Sequence, residues 1–239
     1  MWRTKRSEAI IKRETELKAR KIRICNICGW RGEKFLTPYN TRMGREYGAV
    51  CPECGSGPPQ RILFKYLRKH FLSDYLDKIS HRNFLCLEVG PDPSNPVEKA
   101  LNGIVYIAVD LGESHAMFPM DLTALTFKDK TFDLIVCSHV LEHIQDDATA
   151  MRQIYRVLRD DGVALIQIPI GYYDDPDGKS TVEFGERKFY EHFRSYGFDI
   201  QKRLEGAGFT VNVVRYNDYD ATRLGIETET VFECKRNAQ

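Results

Sequence analysis

The sequence predicts an α/β domain built on a mostly parallel sheet, preceded by a small cysteine-rich module. Apolar, strand-like runs alternate with helical segments between Phe84 and Ile170, which is the order of a βαβ sheet. Gly90 and Asp110 end the first two of these runs, at the edge where such sheets bind their ligands. Two Cys-x-x-Cys pairs lie upstream, within residues 25–54. The predicted fold class is therefore Rossmann-like α/β with an N-terminal cysteine ribbon.

Length and composition fit one α/β domain with a small appendage. The chain has 239 residues, of which 42% are hydrophobic and 29% charged, as in ordinary globular proteins. No apolar run approaches the roughly 20 residues that a membrane helix needs. The basic N-terminus lacks the apolar stretch of a secretory signal. We therefore expect no membrane partner and a cytoplasmic location.

The charges are distributed unevenly along the chain. Residues 1–82 contain 19 Lys and Arg against 8 Asp and Glu, whereas the whole chain has a net charge of only +1. A basic front half on an acidic body suggests a polyanionic partner such as RNA, or an acidic substrate. The alternative is a solvated charged face, or contact between the two halves.

The apolar pattern gives the order of the main elements. The predicted strands, in chain order, are residues 84–90, 104–110, 132–139, 163–170, 209–216 and 228–235. Amphipathic helices are predicted over residues 61–77 and 146–159, the second of them ended by Asp161 and Gly162. The segment 171–187 is rich in Asp, Gly and Lys, which is typical of a mobile loop over a site or of an ordinary disordered connection.

The paired cysteines predict a metal site. Each pair is followed by a glycine, and the short spacing lets one tight turn aim both sulfur atoms at one ion. Four thiolates form a closed tetrahedral site that suits structural zinc, with an iron site of rubredoxin type as the rival. The predicted ligands are Cys25, Cys28, Cys51 and Cys54. The remaining cysteines lie in apolar runs and are expected to be buried and inert: Cys86, Cys137 and Cys234.

The role of the ribbon has two interpretations. It is either a brace packed on the larger domain or a contact surface for nucleic acid or substrate. The basic residues that would make the second contact are Arg31, Lys34, Arg42 and Arg45. The preceding residues 1–24 form a basic arm in which Ile10, Leu17 and Ile24 recur every seven positions, so a helix is plausible. The arm is a nucleic-acid contact, a partner helix or a frayed tail.

Acidic residues at two strand ends predict contacts to a nucleoside. Asp110 follows Gly90 by twenty residues, a place where a carboxylate accepts both ribose hydroxyl protons. Asp121 lies after the next acidic loop and could accept an adenine amino group. Asp92 and Ser94 replace the later glycines of a dinucleotide fingerprint, which argues against a pyrophosphate at this helix start.

Five segments together resemble the ordered motifs of class I S-adenosylmethionine-dependent methyltransferases. They are residues 88–92, 109–110, 120–122, 132–143 and 156–162. The resemblance covers roughly residues 60–239 and divides the chain into a basic arm (1–24), a zinc ribbon (25–59) and a methyltransferase domain (60–239). The combination resembles a bacterial group of methyltransferase-domain proteins, and its layout is similar to that of ribosomal RNA guanine methyltransferases with a zinc ribbon.

The resemblance implies a seven-stranded sheet with an antiparallel last strand, and it assigns roles to particular residues. Glu88, Gly90 and Asp92 would line the methionine end of the cofactor, Asp110 would hold the ribose, and Asp121 with Leu122 the adenine. The full set of implied cofactor residues is Glu88, Gly90, Pro91, Asp92, Asp110, Leu111, Asp121, Leu122, Ser138 and His139. The alternative is a Rossmann-like domain that no longer binds cofactor.

The acceptor side is predicted just past the strand ends. The candidate catalytic residues are His139, His143 and His192, with Glu142, Arg194, Tyr172 and Tyr173 nearby. A base is needed only when the acceptor holds its proton at neutral pH. In one interpretation the histidines are structural groups that only make hydrogen bonds. In a second, they contact the substrate at the methyl site or act there as a base. A third interpretation is a divalent ion on His139, Glu142, His143 and His192, by resemblance to methyltransferases with a Glu-x-x-Glu-His pattern.

Three functions follow from these features. The first is a methyltransferase that uses S-adenosylmethionine on an oxygen or nitrogen, with a small metabolite or glycan-type acceptor slightly favoured. The second is a zinc-ribbon RNA methyltransferase, and the third is a non-catalytic nucleic-acid-binding protein. The position of the basic surface of residues 1–82 relative to the methyl-donor pocket would discriminate between a small acceptor and RNA.

Overall fold

The computed structural model describes residues 22–36, 50–72, 83–101, 103–112, 115–171, 178–188, 191–217, 219–226 and 229–237. The predicted arm up to residue 21 lies outside these ranges, as do Arg42, Arg45, Tyr172 and Tyr173. The described strands are β1 (Arg23–Ile24), β2 (Arg31–Gly32), β3 (Leu85–Val89), β4 (Val105–Asp110), β5 (Phe118–Pro119), β6 (Phe132–Ser138), β7 (Leu158–Gln167), β8 (Val182–Lys188), β9 (His192–Ser195), β10 (Phe209–Arg215) and β11 (Thr230–Arg236).

The described helices are short and lie between the strands. They are α1 (Pro58–Tyr66), continued by a π-helical turn (Leu67–Phe71), α2 (Pro96–Ala100), α3 (Asp147–Val157), α4 (Ile200–Gly206) and α5 (Tyr219–Leu224), with 3₁₀ turns at Leu122–Ala124 and Leu141–His143. None of these helices is long and apolar enough to span a lipid bilayer.

Seven strands form one sheet in the order β10-β11-β7-β6-β3-β4-β5. The pairs from β7 through β5 are parallel, and β11 is antiparallel to both of its neighbours. The predicted mostly parallel sheet with an antiparallel last strand is therefore confirmed. Because β3, β4 and β6 run in the same direction, their carboxyl ends meet at one edge, where the site residues lie.

The core lies on both faces of this sheet. One face packs against α3 and α4 through side chains such as Met151, Ile154 and Leu204. The other face packs against α1 and α2, with Ile62, Leu67 and others fully buried. Such two-sided burial explains why the strands are near-continuous apolar runs. The three cysteines predicted to be inert are all buried within these clusters.

The end of α3 differs from the prediction. The helix begins after Asp146, whose carboxylate accepts a hydrogen bond from the Thr149 backbone N–H at 2.9 Å. It ends at Val157, and β7 begins at once at Leu158 rather than at residue 163. The pairing of β6 with β7 shifts register between Phe132 and Leu134, which leaves the intervening residues of β7 as a bulge.

The helix predicted from residue 61 begins earlier, at Pro58. Two prolines occupy its first turn, and the Gln60 side chain accepts a hydrogen bond from the Gly57 backbone N–H at 2.9 Å. The α-helical part ends at Tyr66, and a π-helical turn continues it to Phe71. Residues 73–77 of the predicted helix lie outside the described residues.

The prediction of a mobile loop over residues 171–187 is wrong for the end of this segment, where residues from Val182 onward form strand β8. Residues 172–177 lie outside the described residues, but β8 pairs with β9 as an antiparallel hairpin. Glu183 on β8 accepts hydrogen bonds from Arg194 on β9, the shorter at 2.9 Å. This cross-strand ion pair supports a polar strand that composition alone assigns to a loop.

Candidate functional site

The ribbon brings all four predicted metal-ligand cysteines together. Their sulfur atoms lie within 4.8 Å of one another. The Sγ atoms of Cys25 and Cys54 are 3.6 Å apart, as are those of Cys28 and Cys51. Tetrahedral zinc with Zn–S bonds of about 2.3 Å requires sulfur–sulfur distances of about 3.8 Å. The cysteine cluster therefore has the dimensions of a closed zinc site.

Two equivalent turns build this cluster. In each pair the backbone N–H of the following glycine donates to the first cysteine's carbonyl: Gly29 to Cys25 at 2.8 Å and Gly55 to Cys51 at 2.9 Å. Both glycines have a positive φ, +82° and +73°, which other residues adopt only with strain. A Cβ at either position would meet no atom within 4 Å. The glycines are therefore required by the backbone conformation and not by crowding near the thiolates.

The thiols have unequal affinities for protons. Burial disfavours the Cys25 thiolate, but hydrogen bonds from Ser56 and from backbone amides outweigh it and lower its pKa to about 7. Burial raises the pKa of Cys28 to about 12, with a contribution from the neighbouring cysteines. One thiolate therefore forms readily and the next one forms with difficulty. A divalent cation removes that conflict, because it neutralises the crowded negative charge.

Arg61 fastens the ribbon to the larger domain. Its guanidinium is fully buried and donates to the carbonyls of Ser56 at 2.5 Å and Leu224 at 2.6 Å. It also lies 3.9 Å from the centre of the Phe35 ring. Burial lowers the pKa of Arg61 to about 10, with the nearby cysteines opposing the shift, so it stays charged at neutral pH. These contacts support the interpretation of the ribbon as a brace.

Helix α1, which directly follows the ribbon, contacts the turn after β3. Gln60, at the start of α1, donates from its side-chain amide to Asp92 Oδ2 at 2.7 Å. The other oxygen of Asp92 accepts from the backbone N–H of Ser94 at 2.8 Å and from its hydroxyl. The predicted cofactor residue Asp92 therefore organises its own turn and connects it to the end of the ribbon. Sequence reasoning missed Gln60, since nothing in its local pattern marks a contact 32 residues away.

At the carboxyl end of β3, the side chains of Val140 and Asp110 lie close to the backbone of Gly90. Its φ is +66°, and a Cβ there would lie 2.5 Å from Cγ2 of Val140 and 4.0 Å from Oδ2 of Asp110. The sequence therefore needs glycine here for both conformation and space. Because Gly90 has no side chain, a ligand can contact its backbone directly beside the Asp110 carboxylate.

The two predicted nucleoside acids are neighbours. Asp110 ends β4, and its backbone carbonyl accepts from the N–H of Met120, the residue before Asp121. One oxygen of Asp110 accepts from the Gly112 N–H at 3.0 Å. One oxygen of Asp121 accepts from the backbone and the hydroxyl of Thr123, each at 2.8 Å. Both carboxylates are thus oriented by short local turns, and each has a second oxygen that could accept a ligand proton.

The other predicted cofactor residues near this edge of the sheet differ in burial and in hydrogen bonding. Glu88 is buried and accepts a hydrogen bond from the Tyr106 hydroxyl, and burial raises its pKa to about 7. Leu122 is buried in the core, whereas Leu111 is exposed. Ser138 donates to the Gln167 side chain at 3.0 Å. Pro91, directly after Gly90, is buried. Their cofactor contacts stay predictions.

The acceptor-side residues gather at the carboxyl end of β6. His139 has a positive φ of +56°, unusual for a residue with a side chain, and its Nδ1 lies 3.5 Å from Oε1 of Glu142. The rings of His143 and His192 meet edge to face with their centres 4.6 Å apart. Burial lowers the pKa of His139 and of His192 to about 4, with other histidines contributing, so both are neutral at pH 7. A neutral imidazole can accept a proton or bind a metal.

Arg194 holds this cluster in place, a structural role that the sequence did not reveal. Its buried guanidinium donates to the carbonyls of Ile144 at 2.6 Å and Gln145 at 2.7 Å. The β9 strand that carries His192 is thereby tied to the segment that carries His143, about 50 residues earlier. Asp147 and Glu183 balance its charge.

Comparison with known proteins identifies relatives for the larger domain. A family model described as a methyltransferase domain matches residues 60–213. A curated protein of Mycolicibacterium smegmatis, named "Probable S-adenosylmethionine-dependent methyltransferase", is 26% identical over 134 residues, which is 50% of this chain and 52% of that protein. A demethylmenaquinone methyltransferase of Streptomyces avermitilis is 39% identical over 57 residues, which is 23% of this chain and 25% of that protein. The chain thus spans from a quarter to about half of the length of these relatives.

Solved structures share the fold. The crystal structure of an S-adenosylmethionine-dependent methyltransferase from Clostridium acetobutylicum aligns with a TM-score of 0.51 at 14% identity, over 73% of this chain and 92% of that one. The CurJ carbon methyltransferase aligns with a TM-score of 0.54 at 13% identity, over 73% of this chain and 54% of that one. The family model covers well over half of the chain, and this chain therefore belongs to the methyltransferase-domain family.

Proposed function

We propose that this protein is a methyltransferase that uses S-adenosylmethionine and transfers the methyl group to an oxygen or nitrogen of a small molecule. The zinc ribbon is a structural module of this enzyme. The observation that carries the proposal is the grouping of Gly90, Asp110 and Asp121 at one sheet edge. A bare backbone and two locally oriented carboxylates suit a ligand that presents hydroxyl and amino donors.

The bound cofactor would supply an electrophilic methyl group on a sulfonium. The chain's own residues then have to align the acceptor and exclude water, which accounts for much of the rate in such displacements. Glu142 and His192 are 1% and 6% exposed, so the acceptor side is largely sheltered from solvent. His139 is neutral at pH 7 and could accept a hydrogen bond from a hydroxyl acceptor, although its pKa, lowered to about 4 by burial, makes it a weak base. This shelter from solvent suits a small acceptor better than an extended chain.

Calorimetric titration of the purified protein with S-adenosylhomocysteine tests the proposal. Wild type should bind, and Asp110→Ala should weaken binding about 10- to 100-fold, since hydrogen bonds to a charged group contribute about 1.5–3 kcal/mol each. Asp129→Ala removes an exposed carboxylate elsewhere and should bind like wild type. If wild type does not bind, or if Asp110→Ala binds equally well, the proposal is wrong.

The second candidate function is methylation of RNA, and one observation favours it. A cavity of about 500 Å³ lies between the ribbon, α1 and α5, and Lys65, Arg68, Lys69 and Arg223 line it. Such a basic surface suits phosphate groups. This candidate predicts RNA binding that weakens steeply with salt, because phosphate contacts release counterions. Salt-independent binding, or no binding in a filter assay, would exclude both this function and a non-catalytic RNA-binding role.

A further inference from the structure

The segment from Ser56 to Arg61 lies between the cysteine cluster and the predicted cofactor edge of the sheet. Ser56 is 1% exposed, and its hydroxyl oxygen lies 3.3 Å from Sγ of Cys25 and 3.2 Å from Sγ of Cys54. Its carbonyl accepts hydrogen bonds from the backbone N–H of Cys51 at 2.9 Å and from Arg61 at 2.5 Å. The position of Ser56 is therefore set largely by the cysteine cluster.

The rest of this segment contacts two parts of the cofactor edge. Gln60 donates from Nε2 to Oδ2 of Asp92, in the turn after β3, at 2.7 Å. The Gln167 side chain, at the end of β7, donates to the carbonyl of Pro59 at 3.2 Å and accepts from the Ser138 hydroxyl at 3.0 Å. Asp92 and Ser138 are both predicted cofactor residues. One short segment therefore connects the cysteine cluster to the cofactor edge.

The side-chain amide of Gln60 has only one favourable orientation. Its Oε1 accepts from the backbone N–H of Gly57 at 2.9 Å, while its Nε2 faces the Asp92 carboxylate. A rotated amide would place two donors together at Gly57 and two acceptors together at Asp92, so neither hydrogen bond would form. The position of the Asp92 carboxylate therefore depends, through Gln60, on the position of Gly57, which directly follows Ser56.

Few buried side chains stabilise the ribbon without a metal. The buried apolar side chains of its described part are Cys25, Phe35 and Cys51. The four cysteine sulfur atoms lie within 4.8 Å of one another, so their thiolates repel unless a cation lies between them. Loss of the metal should therefore let the two cysteine turns separate. Ser56 and Gly57 would move with the second turn.

We propose that Gln60 is a positioning residue that couples metal binding by the ribbon to cofactor binding at the turn after β3. With the metal bound, Gly57 keeps the Gln60 amide against Asp92, and the turn is oriented before the cofactor binds. A preorganised site binds more tightly, because less of it has to be ordered on binding. By linkage, the cofactor strengthens metal binding by the same factor. This inference rests on the proposed function and on a metal at the four cysteines.

Titration of the full chain with S-adenosylhomocysteine, with and without zinc, tests the coupling. Zinc is removed by dialysis against a chelator, and the zinc content of each sample is measured by mass spectrometry. In wild type, zinc removal should weaken binding about 10-fold, a usual size for coupling between two sites. Zinc-loaded Gln60→Met should bind about as weakly as metal-free wild type, and zinc removal should change its affinity by less than about two-fold.

Two further variants separate the contact with Asp92 from other effects of the substitution. Gln60→Glu keeps an acceptor for the Gly57 N–H but removes the donor to Asp92, so it should lose the coupling as Gln60→Met does. Gln201→Met makes the same change on α4, where the side chain donates to Glu205, and should respond to zinc like wild type.

The reciprocal measurement starts from the zinc-loaded chain and so does not need a folded metal-free chain. Competition with a fluorescent zinc chelator should show that S-adenosylhomocysteine strengthens zinc binding about 10-fold in wild type and not in Gln60→Met. Equal nucleoside affinity of zinc-loaded and metal-free wild type, or the same response to zinc in Gln60→Met as in wild type, would overturn the coupling and leave the proposed function intact. Absence of nucleoside binding in zinc-loaded wild type would contradict the proposed function, and this inference with it.

Discussion

The ribbon cluster and the acceptor-side cluster both gather metal-ligating side chains, but the chain builds them differently. The ribbon takes its ligands from two tight turns with the same Cys-x-x-Cys-Gly pattern, and each turn makes its own hydrogen bonds. The acceptor-side cluster takes His143 and His192 from segments that meet only when β9 packs against the turn after β6. Local geometry therefore determines the first, and long-range packing determines the second.

Removing the metal that we propose for the ribbon should have the largest effect. Cys28→Ser or a strong chelator should unfold the ribbon, since so small a module has few buried apolar residues of its own. Circular dichroism and thermal unfolding, with zinc content measured in parallel, check this. Cys234→Ala removes a buried core thiol and should lower stability by about 1–2 kcal/mol without loss of zinc. Equal zinc content in Cys28→Ser and wild type would contradict the prediction.

Loss of Arg61 should be the next largest effect, because it joins the two regions. Arg61→Met leaves the carbonyls of Ser56 and Leu224 without their donor and should lower the free energy of unfolding by about 3 kcal/mol. Arg68→Ala, an exposed change in the π-helical turn that continues α1, should cost less than about 0.5 kcal/mol. Urea unfolding measures both variants, and similar midpoints for the two would show that Arg61 is not the brace.

The titration of Glu88 should make the protein less stable as the pH rises. Burial raises its folded-state pKa from 4.5 to about 7, so between these values the native state holds more protons than the unfolded state. The free energy of unfolding therefore falls as pH rises from 4.5 to 7, by as much as about 3 kcal/mol, and stays reduced above pH 7.

Glu88→Gln isolates this contribution. The amide keeps the size of the side chain and can accept the Tyr106 hydrogen bond, but it does not titrate. The variant should therefore gain stability relative to wild type at pH 8 and not at pH 4. Glu205→Gln, an exposed change on α4, should leave the pH profile unchanged. Parallel profiles for wild type and Glu88→Gln would exclude the effect.

Substitution of a ribbon glycine should have the smallest effect. Gly29→Ala meets no neighbouring atom, so only the strain of a positive φ remains, about 1 kcal/mol. Zinc should still bind. Gly90→Ala combines the same strain with contact to Val140, so its thermal midpoint should fall further than that of Gly29→Ala. Equal midpoints would show that Val140 moves aside freely.

The prediction of the fold from the sequence succeeded where the signal was local and periodic. The strands ending at Gly90 and Asp110 are confirmed. The antiparallel last strand is also confirmed, but that prediction came from the resemblance to class I methyltransferases and not from a local pattern. The prediction of the fold failed at the bulge that begins β7, because an acidic, glycine-containing segment is typical of a loop and only the pairing with β6 makes it a strand. It failed likewise at β8, which is stabilised by Glu183 pairing with Arg194 across the hairpin.

The sequence by itself determined the four cysteines of the ribbon cluster, the positions of six strands along the chain and the acids at two strand ends. These features depend on the spacing of residues that are close in the chain or on the period of apolar side chains. Both are local properties that can be read without knowing the tertiary structure. The sequence left the roles of His192, Glu142 and His143 open between three interpretations, and only the tertiary structure showed that the three side chains meet. Only the tertiary structure showed that Gln60 reaches Asp92. Such contacts join residues tens of positions apart, and their geometry is set by the packing of whole elements against one another.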